Sequence, residues 1–365
     1  MVFFQRGLIM INIIAPINQL GYGIVSLNIV KALSKITKVS LFPIGSPSDI
    51  KDEDIPIIKQ ALENAQLPDF EAPCVRVWHQ HDMSQFVGKG QHIAFPFFEL
   101  NEFSKREKYH LNSVDKIFVS SKWAKNVCLS QLSQPEDNIL VVPLGVDSSI
   151  FKPASEISSN KKTVFFNCGK WEKRKGHDIL PIIFDRAFDT DDNVELWMMN
   201  DNPFLDQRAS EKWKSHYTDS KNGHKIKFID RAKTQEEVYN IMAQVDCGIF
   251  PSRAEGWNLE LLEVMSCGKQ VITTNYSAHT EFCNDQNSYL VEITSNEPAE
   301  DGVWFDGKIG SWAKIDEDQI VEFVKHVRKV HQLKQENKLT INTSGINTSS
   351  EFNWNALAQR IMSNV

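Results

Sequence analysis

Short apolar runs alternate with amphipathic helical segments along most of this 365-residue chain. Runs bounded by turn residues and separated by helix-length segments predict parallel sheets covered by helices. The first half has candidate strands at residues 11–17, 38–44, 75–79, 92–97, 116–120 and 138–143. The second half repeats the pattern at 163–168, 194–200, 225–229, 247–252, 270–274 and 288–293. The sequence therefore predicts an α/β protein.

A polar segment without periodicity, residues 153–162, separates the two halves and is predicted to be a linker. We predict two Rossmann-like, doubly wound parallel-sheet domains, at residues 1–155 and 156–345. A C-terminal helix at 346–365 is predicted to cross back to the first domain. Two such domains leave a central cleft at the carboxyl ends of both sets of strands, where open α/β sheets bind ligands.

The composition favours a protein of a reducing compartment without a nucleic-acid partner. The formal net charge of −7 lacks the basic excess that phosphate contacts require. The six cysteines form no C-x-x-C pair, which indicates free thiols and no zinc site. The apolar start is too short to span a membrane and has no small-residue cleavage site. We expect a cytoplasmic protein.

One local cluster of basic residues leaves a membrane contact open. It could face an anionic acceptor or the inner face of a membrane, although interspersed acids make a solvated helix face the simpler interpretation. The cluster consists of Lys105, Arg106, Lys108, Lys116, Lys122 and Lys125.

Two strand-to-helix turns have features of phosphate sites. After the first strand, Gly21 and Gly23 allow close approach of the backbone to a ligand, but the dinucleotide fingerprint is incomplete because Ser26 replaces its third glycine. A plain tight turn is the alternative. In the second half, residues 167–180 carry four cations within six positions, which suits a diphosphate or, alternatively, a solvated basic turn.

Two glutamates eight positions apart, Glu255 and Glu263, follow the strand at 247–252. Asn258 is a good helix N-cap, so Gly256, Trp257 and Asn258 lie where free N–H groups and the positive end of the helix dipole gather. A carboxylate accepts paired sugar hydroxyls well. Glu255 and Glu263 could therefore hold two sugars of one ligand.

Three ordered motifs resemble the large family of retaining, nucleotide-sugar-dependent glycosyltransferases of the GT-B fold, family four, also called glycosyl transferases group 1. They are "DKIFVSSKWAKN…NILVVPLGVDSSIFKP", "GKWEKRKG" and "PSRAEGWNLELLEVMSCG". The similarity extends from about residue 11 to the "FNWNALAQRI" tail. It implies transfer of a sugar from a UDP- or GDP-linked donor to a hydroxyl acceptor, without a metal or other cofactor.

The resemblance also implies roles for the motif residues. Glu263 would hold the ribose hydroxyls, Glu255 the donor sugar, and Lys170 and Lys175 the diphosphate. The donor would also contact Gly21, Gly23, Gly169, Gly256, Trp257 and Asn258. The chain departs from the family where Lys170 replaces an arginine, Asn258 a glycine and Trp257 a phenylalanine.

The acceptor side, assigned to the first domain, is less well marked. Glu99 follows a strand and could orient or deprotonate an acceptor hydroxyl, or it could cap the next helix. His81 and Asp82, near His79, are further candidates to line the cleft. Glycans, lipid-linked glycans and small molecules all remain open as acceptors. Two alternatives to a glycosyltransferase remain open. One is another enzyme, a sugar-nucleotide epimerase or hydrolase, and the other is a non-catalytic nucleotide-sugar sensor.

A metal-dependent transferase would carry an Asp-x-Asp motif after an apolar strand. The triplet from Asp189 to Asp191 precedes a strand, which predicts a polar turn. We therefore expect no metal.

Overall fold

A computed structural model describes residues 10–157 and 160–365. The first nine positions, and two positions of the predicted linker, lie outside the described residues. The chain forms two compact units. The first contains the described part of Met1–Phe98 with Glu102–Gly145 and Phe352–Val365, and the second contains Glu99–Asn101 and the described part of Val146–Glu351.

The first unit is a parallel sheet with the strand order β2-β1-β3-β4-β5-β6. Its order reverses between β1 and β3, so their carboxyl ends mark a ligand-binding crevice in a fold of this type. The elements are β1 (Met10–Ala15), α1 (Gly21–Ser34), β2 (Lys38–Pro43), α2 (Ile55–Asn64), β3 (Cys74–Arg76), β4 (His92–Ala94), α3 (Lys105–Asn112), β5 (Lys116–Val119), α4 (Lys122–Gln131) and β6 (Ile139–Val141).

The second unit has a parallel sheet with the order β12-β11-β10-β7-β8-β9, which reverses between β7 and β10. Its first elements are β7 (Thr163–Gly169), α5 (Leu180–Ala187), β8 (Val194–Asn200), α6 (Gln207–Thr218), β9 (Ile226–Phe228) and α7 (Gln235–Met242). They are followed by β10 (Cys247–Phe250), α8 (Leu259–Ser266), β11 (Gln270–Asn275) and β12 (Tyr289–Glu292). Each of the twelve predicted runs contains a strand, which confirms the α/β class.

An antiparallel hairpin that the apolar pattern does not predict follows β12. It consists of β13 (Asn296–Glu300) and β14 (Asp306–Ala313). The chain continues through α9 (Glu317–Gln335) and α10 (Thr343–Glu351), and α11 (Trp354–Ser363) completes the described helices. Of these three helices, only α11 belongs to the first unit, together with its flanking residues. There α11 packs against α1.

The unit boundaries differ from the predicted domain boundaries at three places. The C-terminal segment of the first unit begins at Phe352, whereas the prediction placed its start at residue 346. The predicted first domain extends to residue 155, whereas the second unit begins at Val146. Residues after Val146 pack in the second unit because Ser266 Oγ donates to the carbonyl of Phe151 at 2.7 Å, and the N–H of Ala154 donates to the carbonyl of Cys267. The second unit also includes Glu99–Asn101, which the prediction assigned to the first domain.

All six cysteines are buried free thiols. Cys74 and Cys128 belong to the first unit, and Cys168, Cys247, Cys267 and Cys283 belong to the second. Within the described ranges, no helix combines the length and apolar character needed to cross a membrane.

Candidate functional site

The candidate site lies in the second unit where the strand order reverses. β7 ends at Gly169 and leads into the basic turn at residues 170–176, while β10 ends at Phe250 and leads into the loop at residues 251–258. Parallel strands bring both segments to the same edge of the sheet. Open α/β sheets bind ligands at this point.

Glycine is required where the basic turn meets the neighbouring loop. Gly176 has φ +76°, and a Cβ added there would lie 2.1 Å from the carbonyl oxygen of Pro251. The N–H of Arg253 donates to the carbonyl of Arg174 at 2.6 Å, which joins the two segments. Gly169 has φ +125° and lies against the side chain of Lys175, where an added Cβ would be 3.2 Å away. The turn is therefore folded directly onto the loop that carries Glu255.

We expect Gly176→Ala to lower the free energy of unfolding by about 1–3 kcal/mol or more, since a left-handed backbone and a backbone clash are imposed together. Gly307→Ala is the matched control, because Gly307 has φ +75° but its nearest atom would be 3.5 Å away. The control should show only the conformational penalty. Denaturant unfolding followed by circular dichroism measures both, and equal losses would show that the contact with Pro251 is unimportant.

Glu255 is the centre of a buried charge network. Its Oε1 accepts hydrogen bonds from Lys175 Nζ at 3.0 Å and from Ser252 Oγ at 2.9 Å, and its Oε2 accepts one from Arg174 Nη1 at 2.7 Å. Its backbone N–H donates to Ser277 Oγ at 2.8 Å. Both the backbone and the carboxylate of Glu255 are thus fixed before any ligand binds.

The charges of this network stabilise one another. Burial alone would raise the pKa of Glu255, but Arg174 and Lys175 hold that pKa far below its ordinary value. Burial alone would lower the pKa of Lys175, yet the carboxylate of Glu255 raises it above the usual value. Glu255 is therefore ionised and Lys175 is a cation at neutral pH.

Arg174 is one of the four cations for which a diphosphate partner was considered, and in the structure it connects three carboxylates. Its Nε and Nη2 donate to Glu172 Oε2 at 3.1 and 2.7 Å, and its Nη2 lies 3.9 Å from Glu99 Oε1. The guanidinium also donates to the carbonyl of Ala254 at 2.8 Å. Arg174 is only 5% exposed, so its charge is balanced almost entirely by this cluster.

Glu99 lies beside this network in the second unit. The proposal that it caps the next helix is wrong, because α3 begins at Lys105 with Ser104 as its N-cap, in a capping box with Glu107. Burial raises the pKa of Glu99, and the charges of Glu172 and Glu255 raise it further against the opposing effect of Arg174.

The other two lysines of the turn differ in their surroundings. Lys170 Nζ lies 2.9 Å from Glu172 Oε1, and this side chain is 41% exposed. Lys173 is directed towards the hairpin that follows β12. Its Nζ donates to the carbonyl of Glu300 at 2.9 Å and lies 5.9 Å from the ring centroid of Trp312, so it anchors the hairpin.

Asn258 starts α8 in a left-handed conformation with φ 82°. Its Oδ1 accepts from the N–H of Leu261 at 3.2 Å, and its Nδ2 lies 2.9 Å from His279 Nε2. His279 Nδ1 is 3.1 Å from the carbonyl of Thr274, to which only a protonated Nδ1 can donate. Burial lowers the pKa of His279 to about 4, so the ring is neutral and accepts from Asn258. These contacts offset the strain that a glycine would avoid.

Gly256 and Trp257 precede Asn258 and are buried. The indole of Trp257 packs against Phe282 with ring centroids 4.9 Å apart. An N-terminal helix end with this arrangement favours an anion.

Glu263 lies on α8 and is 8% exposed. No other group in the described part of the chain donates a hydrogen bond to its carboxylate. Burial raises its pKa well above the ordinary value of 4.5, and the nearby charge of Glu260 raises it further. A buried carboxylate without a donor is costly to the fold, and it is ready to accept hydroxyl groups from a ligand.

We expect Glu263→Gln to raise the stability of the free protein near neutral pH and to weaken nucleoside diphosphate binding about ten- to hundredfold. The pKa of Glu263 is higher in the folded than in the unfolded state, so this group destabilises the wild type increasingly as the pH rises above the unfolded value. Thermal unfolding from pH 4 to 8 and calorimetric titration with UDP measure the two effects. Glu351→Gln, at an exposed glutamate of the same unit, is the control, and unchanged UDP affinity of folded Glu263→Gln would contradict the assignment.

The two predicted glycines of the first unit lie at the start of α1, beyond the carboxyl end of β1. A Cβ at Gly23 would lie 2.2 Å from Asn18 Oδ1, so glycine is needed for the turn itself. At Gly21 a Cβ would have no atom within 4 Å. Between them, the hydroxyl of Tyr22 accepts from the N–H of Phe97 at 2.9 Å. Gly23 is thus explained by packing, and Gly21 faces open space.

Asp82 has a structural partner. Its Oδ2 accepts from Nη2 of Arg76 at 2.8 Å, and Arg76 Nε donates to the carbonyl of Asp82, while Arg76 itself is 2% exposed. His81 stacks on His79 with ring centroids 5.4 Å apart, and its carbonyl accepts from Arg106. Neutralising a buried arginine accounts for Asp82 without a ligand.

The residues at the Asp-x-Asp triplet form the polar turn that was predicted. Asp189 Oδ1 accepts from Lys221 Nζ at 2.9 Å, and the Asp189 N–H donates to Asp192 Oδ2. Over residues 10–157 and 160–365, no group of three or more acidic, histidine or cysteine side chains is arranged to hold a metal ion.

Residues 161–301 match a family model described as glycosyl transferases group 1. The GPI3 subunit of a Saccharomyces cerevisiae phosphatidylinositol N-acetylglucosaminyltransferase is 24% identical over 194 residues, which are 51% of this chain and 41% of that protein. A Methanocaldococcus jannaschii protein named as an uncharacterized glycosyltransferase is 27% identical over 246 residues, 62% of this chain and 61% of that one. This chain thus spans less than two thirds of either relative.

The crystal structure of Anabaena HepE in complex with UDP-glucose is similar over 97% of this chain and 98% of that chain, with a TM-score of 0.68 and 14% identity. This likeness, together with the two parallel sheets, shows the GT-B fold. The matched segment, residues 161–301, includes the basic turn, Glu255 and Glu263. The family model and both relatives carry the names of glycosyltransferases.

Proposed function

We propose that this protein is a retaining glycosyltransferase that moves a sugar from a nucleoside diphosphate sugar to an acceptor hydroxyl. The observation that carries the proposal is Glu255, held by Arg174 and Lys175 at the reversal of strand order, with the unpartnered Glu263 on the following helix. Both lie in the segment that matches glycosyl transferases group 1.

Each charged group has a part in this proposal. Glu263 accepts the ribose hydroxyls, and Glu255 accepts hydroxyls of the donor sugar. Lys175 and Lys170 hold the diphosphate, with the N–H groups at the start of α8 facing the same ligand. Glu99 meets the acceptor hydroxyl.

In the proposed step, the acceptor oxygen bonds to the anomeric carbon on the face from which the diphosphate departs. The bond between that carbon and the diphosphate oxygen breaks, and the acceptor proton passes to the departing diphosphate. The protein holds both substrates in position and neutralises the charge that develops on the leaving group. No metal is needed for this role if Lys170 and Lys175 supply the positive charge.

The donor class and the acceptor class are narrower proposals. The HepE structure contains UDP-glucose, so UDP-linked sugars come first and GDP-linked sugars second. The name of the yeast relative includes phosphatidylinositol, which adds lipid-linked acceptors to glycans and small molecules. We propose a cytoplasmic location, with the inner face of a membrane as the place of contact with a lipid-linked acceptor.

Incubation with a panel of UDP- and GDP-sugars, with and without acceptors, tests the proposal. A transferase releases nucleoside diphosphate faster when an acceptor is present and forms a glycoside with the donor's anomeric configuration. Equal release without acceptor indicates a hydrolase, a converted donor indicates an epimerase, and binding without turnover indicates a sensor. Activity that persists in EDTA would support the metal-independent mechanism.

A further inference from the structure

The hairpin of the second unit presents exposed apolar side chains at its tip. Trp304 is 52% exposed and Val303 is 62% exposed. The loop after β8 adds Phe204, which is 56% exposed and whose ring lies 5.7 Å from that of Trp304 at an interplanar angle of 84°. Adjacent exposed aromatic rings differ from the scattered apolar residues of an ordinary surface.

The tip is rigid. Asp301 Oδ1 accepts hydrogen bonds from the N–H groups of Val303 and Trp304, both at 2.8 Å, and of Phe305 at 3.0 Å. The ring of Phe305 packs inward against Trp312 with centroids 5.6 Å apart. The turn therefore holds Trp304 outward in one backbone conformation. A rigid aromatic ring loses little conformational entropy when a ligand stacks on it.

Phe204 is held in a comparable way. Its N–H donates to Asn202 Oδ1 at 3.1 Å, and Asn202, which is 2% exposed, donates through Nδ2 to the carbonyl of Trp171 at 3.0 Å. Lys170 Nζ lies 5.6 Å from the centroid of the Phe204 ring. Through Lys170, the two aromatic rings adjoin the charge network of the candidate site.

The charge of the hairpin restricts what could bind there. Residues 296–313 contain four carboxylates and one lysine, a net charge of −3. This charge opposes contact with an anionic membrane or with nucleic acid. A neutral sugar has no such penalty, since the C–H groups on one face of its ring form an apolar surface that stacks on an aromatic ring, and its hydroxyls donate to carboxylates.

We propose that Trp304 and Phe204 form a ledge that binds a sugar ring of a neutral glycan acceptor. The proposal rests on the function proposed above, and it adds the acceptor class and two residues that select it. The donor remains with the basic turn, Glu255 and Glu263, so the ledge and the donor site contribute separately to binding.

Binding to an array of neutral and acidic oligosaccharides, with zwitterionic and anionic phospholipid vesicles in parallel, tests the ledge. Wild type should bind a set of neutral glycans. Trp304→Leu and Phe204→Leu, which keep apolar volume but remove a ring, should weaken that binding about tenfold. Trp304→Phe should retain most of it. Val321→Ala, at an exposed apolar position on α9, should match the wild type.

Calorimetric titration with UDP separates this inference from the proposed function. Unchanged UDP affinity in Trp304→Leu together with lost glycan binding supports the ledge. Reduced UDP affinity would assign the rings to the nucleobase and overturn it. Glycan binding equal to wild type, binding to vesicles alone, or no glycan binding by the wild type would overturn it as well. Failure of every nucleotide and nucleotide sugar to bind would reject the proposed function, whatever the array shows.

Discussion

Glu255→Gln is expected to destabilise the protein by about 3–5 kcal/mol and to lower kcat at least a hundredfold. The stability loss follows because Lys175 is buried and would keep its charge without a carboxylate partner. Arg174 would still have the carboxylate of Glu172 as its partner. The loss of activity follows because an amide can neither balance these cations nor accept sugar hydroxyls through two charged oxygens.

Denaturant unfolding and steady-state transfer rates measure these effects separately. UDP affinity of the folded variant should change little, because the proposed partner of Glu255 is the transferred sugar. Glu351→Gln, at an exposed glutamate at the end of α10, controls for loss of one negative charge in the same unit. If Glu255→Gln lost UDP affinity and transfer activity equally, Glu255 would contact the nucleotide rather than the transferred sugar.

Lys175→Met is expected to lower kcat/KM by an amount equivalent to about 2–4 kcal/mol, more than it lowers donor affinity. Negative charge increases on the diphosphate as its bond to the sugar breaks, so a fixed ammonium group stabilises the transition state more than the bound donor. Lys175 is buried, with its ammonium group 3.0 Å from Glu255. The effect should therefore persist at high salt.

Lys173→Met is the matched comparison on the same turn. Lys173 anchors the hairpin through the carbonyl of Glu300 and the ring of Trp312, so its loss should loosen the hairpin with little effect on kcat. Kinetics at low and high salt, with circular dichroism to confirm folding, test the pair. Equal losses in kcat/KM would mean that the turn attracts anions as a diffuse patch, and the separate roles of Lys175 and Lys173 would then be wrong.

The sheets could be predicted because each buried parallel strand is a short apolar run, and burial on both faces requires that pattern. The hairpin could not, because "NEPAEDGVWFDGKIG" is polar and glycine-containing, and its strands pack through few residues, such as Trp312 and Ala299. The cluster at Glu99 depends on contacts between residues far apart in sequence. Such contacts leave no periodic signal.

The two carboxylates of the site could be found from their spacing and motif, and the structure gives them opposite electrostatic environments. Glu255 is surrounded by cations, whereas Glu263 has no cation in contact among the residues that the structure describes. That difference arises from the fold of the basic turn onto the loop at Gly176, which brings Arg174 next to Glu255. A run of four cations in sequence does not reveal which of them point inward.

The buried cysteines allow local opening to be measured separately in each unit. Thiolate is the reactive form, and burial raises the pKa of Cys74 to about 11 and that of Cys267 to about 12. A native thiol can therefore be alkylated only when its surroundings open transiently. Pulsed alkylation read by peptide mass would follow Cys74 and Cys128 in the first unit and the other four in the second, so a ligand that steadies one unit would slow labelling of that unit's thiols alone.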